Sequence, residues 1–194
     1  MSVDVVLLAG GGSSRMGSDK ASLPVAGRRL IDHVLDDLTR QAAVGRVVVV
    51  APETLALPAG LLHTMENPPG GGPVAGLVAG LAALGSGPAD RVVVLTCDAP
   101  RAGRLVPQLT GPELSDAEAV IATSGGRPQY LLACYRVGAL LRALKLIRPD
   151  GTAHGASMHR LVAGLDVTLV PVEDWLALDL DDPDDVARWL ADGV

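Results

Sequence analysis

The sequence is poor in aromatic residues, with no phenylalanine, two tyrosines and two tryptophans among 194 residues. Proteins that bind single-stranded nucleic acid commonly stack its bases on aromatic side chains. The chain also lacks an excess of positive charge, because 16 lysines and arginines stand against 22 aspartates and glutamates, for a formal net charge of −6. We therefore expect no nucleic-acid partner, and a nucleobase would have to be recognised by backbone and small polar groups.

Cysteines and long hydrophobic runs are also scarce. The two cysteines, Cys97 and Cys134, are too few for a disulfide scaffold or a cysteine zinc site. Both lie in apolar runs, which predicts buried, reduced thiols of the kind found in the cytoplasm. The longest weakly polar stretch, residues 73–84, is too short to span a bilayer, and the first residues carry no basic segment typical of a signal peptide. We expect a cytoplasmic protein with no membrane partner.

The first half of the chain alternates between strand and helix patterns. Residues 3–9, 46–51 and 91–96 are continuously apolar and rich in β-branched residues, which is typical of strands covered on both faces of a parallel sheet. Apolar residues recur at helical spacing over residues 30–38, and Pro73 is expected to open a second helix that ends at Gly85. This alternation predicts an α/β fold of three layers.

The second half predicts a change of strand direction. Residues 117–123 and 129–136 read as strands, and the link between them is too short for a crossover helix, so the pair should be antiparallel. Further predicted elements are helices over 137–146 and 157–165, a strand over 166–172, and a last helix with Asp182 as its N-cap and Pro183 as its first residue. With no internal repeat or linker, we expect residues 1–194 to form a single domain.

The first strand leads into a glycine-rich loop that ends at Lys20. A dinucleotide fingerprint would need glycine where Arg15 stands, and a Walker loop would need its lysine directly after Gly17. The remaining interpretation is an open loop whose N–H groups bind anionic oxygens, while Arg15 and Lys20 supply charge along a triphosphate. The alternative is a plain turn with two solvated cations.

Carboxylates follow two later segments. Asp98 comes directly after the buried strand 91–96, at the sheet edge where ligands bind in open α/β folds, and it could serve a Mg²⁺ site completed by substrate phosphates. Asp98 could equally form a turn before Pro100. A second acidic cluster comprises Asp179, Asp181, Asp182, Asp184 and Asp185. Its last members suit the N-terminus of a helix, whereas Asp179 and Asp181 precede that helix on one side of an extended segment.

These motifs together resemble one family. Residues 8–20 read L-A-G-G-G-S-S-R-M-G-S-D-K, which resembles the signature L-A-G-G-x-S-x-R-M-G-x-D-K of the MobA-like molybdenum cofactor guanylyltransferases. The similarity continues through residues 70–76, 97–100 and 126–129, and weakly through the acidic end. It therefore covers most of the chain.

The resemblance implies a Rossmann-like α/β/α nucleotidyltransferase fold, with a mostly parallel sheet that includes an antiparallel pair. It implies transfer of GMP from GTP to the phosphate of molybdopterin with Mg²⁺, and release of pyrophosphate. An apo-molybdoenzyme or its chaperone would be a further partner. The implied catalytic residues are Arg15 and Lys20, and the implied metal ligand is Asp98. We hypothesise that Asp181 is a second contact, either to the metal or to the substrate. The implied nucleotide-binding residues are Leu8, Ala9, Gly10, Gly11, Lys20, Asn67, Gly72 and Asp98.

Departures from the family pattern leave alternatives open. Relatives that use CTP tend to have alanine at the position of Gly10 and glycine at that of Cys97, so both residues favour the guanine branch. Asn67 stands where many guanylyltransferases carry Asp, and Asp181 where many carry Asn. By resemblance, Arg127 and Gln129 could reach an anionic acceptor. The alternatives are a cytidylyltransferase, another transferase with a small phosphorylated acceptor, or a nucleotide-binding protein that delivers a cofactor without turnover.

Overall fold

The computed structural model describes residues 2–10, 20–87, 89–111, 114, 116–148 and 152–191. Its strands are β1 (Val3–Leu8), β2 (Pro24–Val25), β3 (Arg28–Arg29), β4 (Val44–Val50), β5 (Leu62–Thr64), β6 (Arg91–Thr96), β7 (Ala119–Ser124), β8 (Arg127–Arg136) and β9 (Val167–Pro171). Its α-helices are α1 (Leu30–Thr39), α2 (Pro73–Leu84), α3 (Val106–Leu109), α4 (Val137–Ile147), α5 (Met158–Val162) and α6 (Pro183–Ala191). Short 3₁₀ turns include Lys20–Ser22 and Asp174–Leu176.

Within these residues the main sheet has seven strands, in the order β5-β4-β1-β6-β8-β7-β9. Strand β1 pairs in parallel with β4 on one side and with β6 on the other. Strand β8 runs antiparallel to both β6 and β7, and β9 is parallel to β7. The prediction of a mostly parallel sheet with an antiparallel pair is confirmed.

Side chains of β1 alternate between two apolar layers. Val5 and Leu7 pack in a cluster with residues of α1, whereas Val6 and Leu8 pack in a second cluster with residues of α2. Helix α2 approaches the sheet closely because Gly80 faces it: a Cβ there would lie 2.6 Å from a methyl carbon of Val6. Helices therefore cover both faces of the sheet, which explains the continuous apolar runs of the central strands.

The structure differs from the sequence prediction mainly in short elements. The helix predicted over 157–165 is shorter, at Met158–Val162. The β2–β3 hairpin and the edge strand β5 were not predicted, because two or three residues are too few to show a period. The hairpin turns at Ala26 and Gly27, both with positive φ. The short link between β7 and β8, unlike that hairpin, was predicted. Gly125 and Gly126 form it with positive φ at both positions, as tight hairpins require.

The structure also bears on the two cysteines and on helices that could span a membrane. Cys97 and Cys134 are both buried, as their apolar neighbours predicted. No helix in the described ranges is long and apolar enough to cross a membrane.

The order of strands places the carboxyl ends of β1 and β6 side by side. After β1 the chain moves to β4 on one side of the sheet, and it later returns to β6 on the other side of β1. The segments that leave β1 and β6 therefore begin next to each other, at the edge where open α/β sheets bind ligands. The predicted site residues at Gly10 and Asp98 follow these two strands.

Candidate active site

Backbone hydrogen bonds fix the ends of the two central strands. The Cys97 N–H donates to the Leu8 carbonyl at 3.0 Å, and the Ala9 N–H donates to the Val50 carbonyl at 2.9 Å. Ala9 and Asp98 thus leave the sheet from neighbouring positions. Gly10 follows directly, and a Cβ at this position would lie 3.5 Å from the Val50 oxygen, an ordinary van der Waals distance.

Lys20 is buried and lies between two carboxylates. Its Nζ is 3.3 Å from Oδ2 of Asp98 and 2.6 Å from Oδ1 of Asp181. The side chain of Lys20 is 7% exposed, whereas those of Asp98 and Asp181 are 37% and 76% exposed. The structure thus brings together three of the residues that the sequence singled out, from three separate parts of the chain.

The two carboxylates keep Lys20 charged. Burial by itself lowers the pKa of Lys20, but the hydrogen bond to Asp181 and the negative charges of Asp98 and Asp181 outweigh it and hold the pKa above its ordinary value. The site therefore contains a permanent ammonium group at the carboxyl edge of the central strands.

The segment before α6 carries the second carboxylate to this place. Its Leu180 N–H donates to the backbone carbonyl of Asp98 at 2.9 Å, which ties the segment to the end of β6. Asp179 precedes this contact. Desolvation, followed by the charges of Asp98 and Asp181, raises the pKa of Asp179 to about 6, even though the residue remains exposed to solvent. Carboxylates therefore outnumber the one ammonium group of Lys20 among these four side chains.

The carboxylates fit a divalent cation that is shared with a substrate. Asp98 and Asp181 converge on the same ammonium atom, so both can reach one small region. Across the part of the chain that the structure describes, no three His, Cys, Asp or Glu side chains are grouped so as to hold a metal ion. Mg²⁺ commonly binds through one or two carboxylates together with phosphate oxygens and water, and Asp98 and Asp181 supply the two carboxylates.

The glycine-rich loop before α2 lies at the same edge of the sheet, after β5. Asn67 is exposed and precedes a cis proline, Pro68, and Gly72 adopts a φ of 85° immediately before the first residue of the helix. Glu66 was not predicted from the sequence, although its carboxylate accepts a hydrogen bond from the Gly70 N–H at 3.1 Å and so holds the loop. Its only sequence signal is an acidic residue soon after a strand that was itself too short to predict.

A second contact holds this loop from the other side. The Gly155 N–H donates to the Gly71 carbonyl at 2.8 Å, and a Cβ at Gly71 would lie 3.3 Å from Nδ1 of His154. The glycine loop is thus fixed both by its own Glu66 and by the segment that precedes α5. The N-terminus of α2, whose first N–H groups are available for an anion or a ligand oxygen, keeps a defined position.

The remaining predicted residues are distributed as follows. Arg15 and Gly11 lie outside the described residues. Arg127 is exposed at the start of β8, and Gln129 follows it on the same strand. The β7–β8 turn beside them is anchored by Asp174, whose Oδ1 accepts hydrogen bonds from Ser124 and Gly125 at 2.6 and 2.8 Å.

Comparison with known proteins identifies the group to which this arrangement belongs. Residues 5–168 match the model of the MobA-like NTP transferase domain. The chain belongs to the MobA-like NTP transferase family. A Bacillus cereus protein named probable molybdenum cofactor guanylyltransferase is 30% identical over 176 residues, covering 87% of this chain and 84% of the relative.

Solved structures extend the similarity of fold. Molybdopterin-guanine dinucleotide biosynthesis protein A from Archaeoglobus fulgidus is 22% identical with a TM-score of 0.72, over 99% of this chain and 100% of the other. 2-C-methyl-D-erythritol 4-phosphate cytidylyltransferase from Thermus thermophilus is 20% identical with a TM-score of 0.71, over 98% of both chains. As a member of the MobA-like family, the chain is a nucleotidyltransferase, and the two neighbours show that its fold occurs in proteins named for guanine and for cytidine nucleotides.

Proposed function

We propose that this MobA-like nucleotidyltransferase transfers GMP from GTP to the phosphate of molybdopterin, with Mg²⁺ as its cofactor. The observation that carries the proposal is the meeting of Lys20, Asp98 and Asp181 at the carboxyl ends of the central strands. This combination of a fixed cation and two exposed carboxylates suits a triphosphate with its metal. The relatives named molybdenum cofactor guanylyltransferase support the choice of nucleotide and acceptor.

In the proposed reaction an oxygen of the acceptor phosphate attacks the α-phosphorus of GTP. A new P–O bond forms, the bond between the α- and β-phosphates breaks, and pyrophosphate leaves with its bridging oxygen. The protein forms no covalent intermediate in this scheme, so its task is to position the two substrates and to neutralise charge. Mg²⁺, when bound, would neutralise phosphate charge and polarise the reacting group.

Each residue of the site that the structure describes has a proposed role that follows from its place. The buried ammonium of Lys20 would stabilise charge that develops on the phosphates, because it is fixed before the reaction begins. Asp98 and Asp181 would hold the metal. The backbone of Ala9 and Gly10 and the loop ending at Gly72 would line the nucleotide, where small residues permit close approach. Arg15 is proposed as a second catalytic cation, and Asn67 as a further nucleotide contact.

The choice between guanine and cytosine rests on small residues at the site. Packing against the described residues does not require glycine at position 10, since a Cβ there would meet none of their atoms closer than 3.5 Å. Glycine at this position would instead allow a ligand to approach the backbone closely. Glycine is also the residue that the guanine branch of the family has here, whereas relatives that use CTP tend to have alanine. A cytidylyltransferase remains the second candidate, because a protein of that name shares the fold over nearly the whole chain.

The test is the release of pyrophosphate from GTP, CTP, ATP and UTP, each with Mg²⁺ and molybdopterin. The proposal predicts release with GTP well above that with the other three nucleotides. Release that is greatest with CTP would select the second candidate. Binding of GTP and Mg²⁺, detected as a thermal shift, without pyrophosphate release from any acceptor would instead indicate a delivery protein that has no turnover. An apo-molybdoenzyme or its chaperone is the proposed recipient of the product.

A further inference from the structure

The first turn of α6 contains a reciprocal set of hydrogen bonds. Oδ1 of Asp182 accepts hydrogen bonds from the N–H groups of Asp184 and Asp185, both at 2.9 Å. In return, Oδ2 of Asp185 accepts a hydrogen bond from the Asp182 N–H at 3.1 Å. This is the geometry of a capping box, with aspartate in place of the usual glutamate or glutamine at the third helical position.

The carboxylate of Asp185 also reaches outside the helix. Its Oδ2 accepts a second hydrogen bond, at 2.9 Å, from the N–H of Asp181, which precedes the cap. Its other oxygen is paired with Arg188 on the next turn of α6. Asp185 is only 7% exposed, so this carboxylate is held from three directions and has little freedom to move.

Asp181 therefore lies between two fixed points. On one side the Leu180 N–H is bound to the backbone carbonyl of Asp98, and on the other side the N–H of Asp181 itself is bound to Asp185. The Asp181 side chain is 76% exposed and makes a 2.6 Å contact with Lys20. An exposed side chain gains rotamer entropy when it leaves such a contact, which disfavours the contact. Fixing the backbone of Asp181 keeps its carboxylate within reach of Lys20 and so favours the contact.

We infer that Asp185 is a positioning residue for the active site, whose buried carboxylate holds the backbone of Asp181 and so sets where the Asp181 carboxylate meets Lys20. The contact between Asp181 and Lys20 can be measured without any substrate. The effect on turnover rests on the proposed function and is measured separately.

The structural test uses the reactivity of Lys20 toward an amine-acylating reagent, measured by mass spectrometry. The chain has two lysines, and exposed Lys145 on α4 provides an internal reference in every sample. Asp185→Ala is expected to raise the labelling of Lys20 relative to Lys145 by about threefold, the change that loss of one modest ion pair produces. Asp181→Asn should raise it at least as much. Asp184→Asn, in the same turn but with its carboxylate outside the capping box, should leave the ratio unchanged.

A wild-type labelling ratio in folded Asp185→Ala would overturn the inference. Should that variant fail to fold, Asp185→Asn decides, because a neutral amide oxygen accepts hydrogen bonds more weakly than a carboxylate while it preserves shape. Its ratio should also rise, and an unchanged ratio in the folded variant would overturn the inference equally.

Turnover provides the second readout. Asp185→Ala should lower kcat about tenfold with little change in KM for the nucleotide, and it should add nothing in a chain that already carries Asp181→Asn, since both substitutions act through one carboxylate. Additive losses would contradict the inference. If no nucleotide yields pyrophosphate with the wild type, the proposed function fails, whereas the labelling result still decides the position of Asp181.

Discussion

Replacing Lys20 by methionine separates the chemistry of the site from the stability of the fold. The side chain of methionine is unbranched and similar in length to that of lysine, and it is apolar, which suits this buried position. It lacks the ammonium group. The two ion pairs lost have partners with 37% and 76% exposed side chains, so water screens them and each contributes about 1 kcal/mol or less to stability. The whole loss is therefore at most about 2 kcal/mol, or a fall of about 4–8 °C in Tm for a chain of this size.

The expected effect on catalysis is larger. Removal of one preorganised electrostatic group typically costs about 2.7–4 kcal/mol in the transition state, which corresponds to a hundred- to thousandfold fall in turnover. We expect Lys20→Met to remain folded at 25 °C and to lose pyrophosphate release by this factor.

Pyrophosphate release and thermal unfolding are measured on the same preparations, and Lys145→Met serves as the matched control. Lys145 is the other lysine of the chain and is exposed on α4, so its replacement should change neither quantity. Turnover within a few-fold of the wild type in folded Lys20→Met would refute the assigned role.

Three further outcomes follow from the same structure. Gly80→Ala should lower the free energy of unfolding by about 1–3 kcal/mol in denaturant titrations, because its Cβ would lie 2.6 Å from Val6 in the core. Gly10→Ala should change stability by less than about 0.5 kcal/mol but reduce the preference for GTP over CTP, measured as the ratio of kcat/KM values. Burial raises the pKa of Asp37 against the opposing charge of Arg104, so the folded chain binds this proton more tightly than the unfolded chain. The wild type should therefore gain stability relative to Asp37→Asn as pH falls from neutrality towards 3.8, and a constant difference would contradict this.

The central part of the fold could be predicted because its signals are long and strong. The continuous apolar strands β1, β4 and β6 and the helix opened by Pro73 match the predicted elements closely, since burial on both faces of a sheet leaves a distinct pattern. The order of the strands could not be obtained in this way. Pairing between strands depends on contacts across the chain, which local periodicity does not record.

The same reasoning explains what could be predicted of the site. Asp98 and Lys20 each follow a recognisable element, so their residue types and positions were informative. The sequence does not show that Asp98 and Lys20 meet Asp181. This meeting depends on the segment before α6, which returns to the sheet edge and is held there by the hydrogen bond from the Leu180 N–H to the backbone carbonyl of Asp98. Glu66 was missed because its role depends on a loop conformation rather than on a spacing.

The proposed reaction transfers a nucleotidyl group from GTP to a phosphate, and isotope labelling can follow both of its products. The protein is incubated with Mg²⁺, molybdopterin and GTP labelled at either the α- or the γ-phosphate. We expect the α-label in the molybdopterin product and the γ-label in pyrophosphate, and we expect Asp98→Asn to suppress both. Retention of the α-label in GTP by the folded wild-type protein, or its release as free GMP alone, would rule out this reaction.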